Sequence, residues 1–365
     1  PGGMILSSTP LMDSVPVHQA AMEGRYICQW DKHSVEDARF IKIDFLSIGA
    51  LSQMQEVTAL IEERTGRFID LSQIDFEDEN VYAMMHRADT IGIFQIESAA
   101  QIQTITRIKP RNLVDMAIEV AAVRPGVGAN DGVSEFIRRR TLGIVHYEHE
   151  LEIPALQRTL GVVLFQDQFN ELAIHVAGFT STKAEEFRRA HGREDEQEAV
   201  LSYWWPRFRD GARRQGVDEH TAARIFGKFN GHYMFPESHA YAFGVTAYQM
   251  AWLKHYYPLE FYVGLFNEQP MGFYNLETLK EDAKRHNVQT LNPDVNRSGA
   301  QLTIHDESLL LGLLSVESIG GAVANQIVTE RNANGNFLSI SDLMTRTGIL
   351  QKTLNNLADA GALDD

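Results

Sequence analysis

Apolar positions along the chain recur in two rhythms, and the change between them divides it. Residues 1–46 carry three short apolar runs: Met4-Ile5-Leu6, Tyr26-Ile27-Cys28-Gln29-Trp30 and Phe40-Ile41-Lys42-Ile43-Asp44-Phe45-Leu46. The third alternates with a period of two. It predicts a strand with Ile41, Ile43 and Phe45 on one face and Lys42 with Asp44 on the other. From about residue 50 the spacing becomes i, i+3, i+4. Leu51, Met54, Val57, Leu60 and Ile61 predict a helix over 50–64, stopped at Gly66. Further helices are expected over 78–85, 99–108 and 113–123, the last ending against Arg124-Pro125-Gly126.

Downstream, Leu160-Gly161-Val162-Val163-Leu164-Phe165 reads as a short buried strand, followed by a helix over 167–176 that stops near Gly178. Thr182 and Glu185 have the spacing of a capping box at the start of the next helix. Residues 194–198 are acidic and read as a solvated loop or helix tip. Val245, Tyr248, Trp252 and Tyr256 lie along one face of a helix that breaks at Pro258, and the stripe is read as core. Ser238 is placed to cap that helix. Residues 276–286 are helical, 292–296 form a turn-rich linker, and 301–305 with 309–312 form a small hairpin. Short helices follow over 322–331, 341–346 and 352–360. The pattern describes an α+β protein, predominantly α-helical, with no repeat of 20–50 residues.

Composition narrows the class. The chain has 365 residues, 44% of them hydrophobic, a formal net charge of −16 and a single cysteine, Cys28. That length suits two or three domains, and the hydrophobic share rules out a mostly disordered chain. One cysteine excludes a disulfide framework or a cysteine-based zinc cluster, and the expected compartment is the cytoplasm. No apolar run is long enough for a membrane-spanning helix, so no membrane partner is expected. The negative charge argues against nucleic acid until it is divided by region. Residues 101–250 carry 18 Lys+Arg and 19 Asp+Glu, whereas the remaining 215 residues carry 15 and 30. The middle also holds the arginine clusters Arg138-Arg139-Arg140, Arg188-Arg189 with Arg193, and Arg207/Arg209/Arg213/Arg214. Local stripes, not net charge, decide whether phosphate binds.

Three segments can carry chemistry. Lys42 and Asp44 on one strand face can meet phosphate and Mg²⁺, or can be an ordinary exposed pair. Arg188 and Arg189 can clamp a triphosphate, or can pair with Glu185 and Glu186 one turn back. Ser238 and His239 are adjacent and have no nucleophile-elbow context, so a hydrolase reading fails there. His146 and His149 could serve an unrelated metal-dependent hydrolase, although two histidines three apart on a polar segment are ordinarily surface residues.

Taken in order, the motifs resemble the bacterial C-family DNA polymerases, the replicative alpha-subunit family, over essentially the whole chain. They are Gly2-Gly3, Gln29-Trp30-Asp31-Lys32, Lys42-Ile43-Asp44-Phe45-Leu46, Gly92-Ile93-Phe94-Gln95-Ile96-Glu97-Ser98, Arg124-Pro125-Gly126, Leu164-Phe165-Gln166-Asp167-Gln168, Phe187-Arg188-Arg189-Ala190, Phe235-Pro236-Glu237-Ser238-His239-Ala240, and Trp252-Leu253-Lys254 with Pro258. The form Phe-Pro-Glu-Ser-His-Ala is similar to that of the error-prone, damage-tolerant ImuC-type branch.

The resemblance implies the C-terminal part of a nucleotidyltransferase-type palm over 1–48 and helical fingers over 49–272. A linker with a small hairpin over 273–315 and a tandem helix-hairpin-helix module over 316–365 would follow. It makes Asp44 a ligand of a two-Mg²⁺ site completed by carboxylates outside this chain, with Lys42 beside the nucleotide. It places Arg188, Arg189, Ser238 and His239 at the incoming nucleotide. Arg124, Arg193, Gly320, Gly321 and Lys352 would contact DNA. The implied partners are primed template, deoxynucleoside triphosphates, a sliding clamp and accessory polymerase subunits. The implied duty is error-prone synthesis in repair and replication.

Residues 1–43 hold no Asp-x-Asp pair, so the chain is expected to be an internal piece, inactive alone. The alternative is a catalytically inactive DNA-binding protein derived from such a polymerase. Ala99, Val127 and Ser318 stand where the family usually carries other residues.

Overall fold

The computed structural model describes residues 3–44, 48–123, 130–191, 197–229, 234–272 and 274–364. The chain divides into two compact units, residues 1–52 and 53–365. In the first, β1 (Gly3–Leu6), β2 (Val17–Gln19), β3 (Tyr26–Cys28), the short helix α1 (Lys32–Asp37) and β4 (Ile41–Asp44) follow in order. Antiparallel β1–β4 pairs Gly3 with Asp44 and Leu6 with Ile41, while β2–β3 pairs Val17 with Cys28. α1, which the apolar pattern does not announce, is opened by Asp31, whose carboxylate accepts the Ser34 N–H at 2.8 Å. Ile41 and Ile43 share a face, as the period of two requires, but both are exposed.

The second unit is helical up to residue 285. Its helices are α2 (Ile48–Thr65, which begins in the first unit), α3 (Glu79–His86), α4 (Ala99–Ile108), α5 (Leu113–Ala122), α6 (Asn130–Leu142), α7 (Ile153–Leu156), α8 (Gln166–Ala177), α9 (Ser181–His191), α10 (Gln197–Arg214), α11 (Glu219–Phe226), α12 (Glu237–Tyr256), α13 (Pro258–Asn267) and α14 (Leu276–Arg285). Several helix starts are fixed by side chains. Ser98 and Gln101 form a reciprocal capping box at α4, and Asp78, Asn112, Asp218 and Asn275 cap α3, α5, α11 and α14. Gly66 and Gly178 take positive φ at helix ends.

α12 is the axis of this unit, packed along α5 and against α3 and α13. Gly244 permits that approach, because a Cβ there would lie 3.2 Å from Met116 and Ala117 of α5. Of the aromatic stripe, Tyr248 is fully buried and donates its hydroxyl to the Asp75 carbonyl at 2.8 Å, whereas Tyr256 is half exposed. A second core, between α7 and α11, surrounds an aromatic cluster with alanine and aliphatic side chains. Phe169, Phe187, Phe208, Phe226 and Phe229 interlock there with ring centroids 4.5–6.5 Å apart.

The last part holds β5 (Thr290–Leu291), β6 (Thr303–His305), β7 (Ser308–Leu310) and helices α15 (Gly321–Asn334), α16 (Ile340–Thr347) and α17 (Gln351–Asp359). β6 and β7 form the expected hairpin, turned by Asp306 and Glu307 in the left-handed region. β5 adds a parallel strand to β7. Leu313, Ile327, Leu343 and Leu357 make the core of the three helices. Residues 292–296 form the expected turns, and Val295 is buried in that same core.

Three local expectations are corrected. Residues 160–165 are not a strand. Leu160 and Gly161 take positive φ, only Phe165 bridges to Phe235, and Gln168 Oε1 accepts the Leu164 and Phe165 N–H groups that a ladder would have used. α9 begins at Ser181, with Thr180 accepting the Lys183 N–H, so Thr182 is inside the helix. Ser238 does not cap α12. The helix starts one residue earlier, at Glu237.

Candidate nucleotide and DNA interface

Asp44 ends β4, opposite Gly3, and Lys42, opposite Ile5, is exposed. Arg124 and Arg193 lie outside the described residues.

The start of α12 is built by a charged network. The Asp167 carboxylate on α8 accepts the backbone N–H of Glu237 at 2.7 Å. Arg158 forks onto both oxygens of Glu237, at 2.6 and 2.7 Å, and reaches Glu171 at 2.8 Å. Asp167 and Glu171 are one turn apart on α8, so that helix sets where α12 begins. Two acids, Asp167 and Glu237, therefore sit at the positive end of α12. Ser238 and His239 remain exposed on the first turn. The His239 ring stacks on Phe235 at 5.0 Å and meets Phe243 edge-on at 4.1 Å, which fixes its plane.

Arg188 and Arg189, near the end of α9, are tied to the same α8 through Glu185. Asn170 donates to Glu185 at 3.1 Å, and Glu185 accepts from Arg188 at 2.7 and 2.9 Å and from Arg189 at 2.8 Å. The Arg188 bonds, then the Arg189 bond, outweigh burial and hold Glu185 far below the usual carboxylate range. Pairing with an acid one turn back was one of the two readings of this motif, and Glu185 makes that pair with both arginines. The trio has a net charge of +1, and the Arg189 side chain is 75% exposed. α8 thus links Arg188 and Arg189 to the base of the Ser238–His239 turn.

In the C-terminal module, Gly320 and Gly321 are exposed at the start of α15, with open space where a Cβ would stand and no side chain capping the helix. Ser318 takes φ +63°, so the turn forms without the usual glycine at a cost of about 1 kcal/mol. Lys352 is exposed in the first turn of α17, which also lacks a side-chain cap.

His146 pairs with Glu148 at 3.1 Å, and His149 Nδ1 accepts the Leu151 N–H at 3.2 Å, so these histidines serve local structure. Among the described residues, the one three-ligand cluster is Asp89, Asp282 and His286. The buried Lys254 ammonium bridges its carboxylates at 2.9 and 2.8 Å and already offsets part of that charge. No helix among the described residues is long and apolar enough to cross a membrane.

Arg158 and Asp167 are the structural residues of this site that motif reading did not single out. Asp167 lay inside a quoted motif but without a role, and nothing local marks Arg158.

Family comparison places these elements in one frame. Residues 1–47 match the model of the bacterial DNA polymerase III alpha NTPase domain, residues 50–216 the alpha-subunit finger domain, and residues 287–365 a helix-hairpin-helix motif. The chain belongs to the bacterial DNA polymerase III alpha-subunit family. It is 39% identical over 368 residues to a protein of Mycobacterium bovis named error-prone DNA polymerase, covering 99% of this chain and 34% of that one. The same identity and name hold for a Mycobacterium tuberculosis protein, of which 33% is covered. A Corynebacterium diphtheriae protein of that name is 37% identical over 366 residues, covering 100% of this chain and 35% of its own length. The chain spans about a third of the curated relatives it matches. The ordered matches from the NTPase domain through the fingers to the hairpin module agree with the motif order read from the sequence.

Proposed function

We propose that this chain supplies the end of the palm (1–48), the fingers (49–272) and, through a connecting segment (273–315), the duplex-binding module (316–365) of an error-prone DNA polymerase. The full-length protein extends a primer 3′-hydroxyl with deoxynucleotides, in DNA repair and replication in the cytoplasm, together with a sliding clamp and accessory subunits. The observation that carries this reading is the collinear match of all three parts to the family, with relatives that bear the name error-prone DNA polymerase.

A carboxylate at a strand end is a hard oxygen donor suited to Mg²⁺, and Asp44 is the residue that would hold it, together with carboxylates outside this chain. When bound, a metal pair supplies charge neutralisation at the attacking and leaving oxygens. Lys42 offers its ammonium to phosphate from the same strand. Arg189, exposed and part of a trio of net charge +1, meets the triphosphate, while Arg188 is braced by Glu185. The His239 ring, held in plane by Phe235 and Phe243, offers a flat edge beside Ser238 for the nucleotide. The uncapped amides at Gly320 and Gly321, with Lys352, hold duplex phosphates without reading sequence.

Primer extension by the full-length protein tests this. Asp44→Asn should abolish extension and leave duplex binding intact. Retained extension removes Asp44 from the site. A wild-type protein that binds primed DNA but never extends it favours the inactive DNA-binding alternative.

A further inference from the structure

α10 has two unlike faces. Trp204, Phe208 and Ala212 point into the aromatic core and are buried. Tyr203, Arg207, Asp210 and Arg214 follow at helical spacing on the other side, and all four are exposed, as is Arg213. The Arg207 guanidinium carbon lies 3.5 Å from the centre of the Tyr203 ring, a face-to-face stacking distance, and Arg207 also donates to the Tyr203 carbonyl at 2.6 Å. The Tyr203 side chain stands edge-on to Trp204 at 5.2 Å, so the core fixes the plane on which the guanidinium rests.

Charge on this face differs from that of the chain. Asp210 is taken up by Arg209 at 3.0 Å, and Arg209 lies 3.8 Å from Glu219. No acid among the described residues is paired with Arg207, Arg213 or Arg214. In a protein of net charge −16, an exposed helix face with three arginines outside any such pair is a local reversal of sign. A lone helix-end arginine is explained by the macrodipole, which accounts for Arg213 and Arg214 but not for Arg207 in mid-helix.

We infer that the outer face of α10 is a landing site for single-stranded nucleic acid. The upper face of the Arg207 guanidinium, backed by Tyr203, stacks an unpaired base, and Arg213 with Arg214 take the flanking phosphates. This combination suits a single strand. A planar cation over an aromatic ring offers a stacking surface that paired bases within a duplex cannot reach, and the arginines give sequence-independent phosphate contacts. The inference rests on the polymerase reading only in taking the strand to be the unpaired template.

The test is equilibrium binding of the full-length protein to fluorescein-labelled oligo(dT) and, separately, to a blunt duplex. Joint replacement Tyr203→Ala with Arg207→Ala should weaken oligo(dT) binding about tenfold with duplex affinity unchanged. Arg213→Ala with Arg214→Ala should flatten the dependence of log affinity on log salt by about 1.4 for the single strand. Arg207→Lys should keep the salt dependence and lose the stacking contribution, which separates stacking from charge. Arg209→Ala, already held by Asp210, should change little. Thermal midpoints within a few degrees of wild type certify folding. Oligo(dT) affinity unchanged in the Tyr203/Arg207 variant, or duplex affinity falling in parallel, overturns the inference. Primer extension by the wild type is measured alongside. If it occurs while the variants bind oligo(dT) normally, the landing site fails and the polymerase reading stands; if it is absent, that reading fails independently.

Discussion

The Asp167 carboxylate caps α12 by accepting the Glu237 N–H at 2.7 Å, so the first turn that presents Ser238 and His239 is set by a residue 70 positions earlier. Arg158 reinforces the joint by forking onto Glu237. Asp167→Ala should cost about 1 kcal/mol of stability, the usual loss of a capping acceptor, and Asp167→Asn should recover most of it. Urea denaturation reads the difference. Equal stability of the alanine and asparagine variants would show that the cap contributes nothing.

Arg158→Ala should be worse, at about 2 kcal/mol, because it leaves Glu237 and Glu171 facing each other with Asp167 nearby and no cation among them. Arg158→Lys should rescue little, since a single ammonium cannot reproduce the fork onto both oxygens of Glu237. A full rescue by lysine, seen in the same denaturation experiment, would reduce the role of Arg158 to bare charge.

Glu119 on α5 is fully buried, and neither carboxylate oxygen has a hydrogen-bond partner among the described residues. Burial pushes its carboxyl well above the ordinary value. The folded chain therefore keeps a proton that the unfolded chain releases. Its contribution is fully present below the unfolded value, near 4.5, and is lost as pH rises toward the folded one. Glu119→Leu should remove that slope, making the variant more stable relative to wild type at pH 8 than at pH 5. Parallel stability profiles across that range would rule out the buried proton.

Several elements were legible because their signals are local. α4 runs over the residues its apolar spacing marks, Ser98 and Gln101 announce its start, and the hairpin at Asp306-Glu307 follows from two apolar runs separated by a turn. α10 was not legible, since Pro206 and Gly211 both read as breakers. Gly211 is there for packing: a Cβ would collide with the Ala177 carbonyl at the end of α8. Gly211→Ala should therefore destabilise by about 1–3 kcal/mol despite alanine's better helix propensity, and a stabilised variant in thermal melts would contradict the close approach. The site divides in the same way. Arg188 and Arg189 stand out as a motif, but the acid that holds both was one of two candidates until Glu185 was seen to take them. Arg158 and Asp167 act across 79 and 70 residues of chain, a distance at which no spacing rule operates.

His191 closes α9 inside the aromatic core, within 4.5–6.4 Å of the Phe169, Phe187, Phe226 and Phe229 ring centres. Burial lowers its pKa, and the interaction with the Phe187 backbone only partly offsets this. The folded chain thus holds the ring neutral where the unfolded chain takes up a proton. Stability is full above the unfolded value of about 6.5 and falls as pH drops below it. His191→Phe keeps a flat apolar ring among the four phenylalanines and has nothing to protonate. Its thermal midpoint should drop less than that of wild type between pH 7.5 and pH 5. If both midpoints fall together, the acid sensitivity lies in other groups and the His191 ring contributes only as packing.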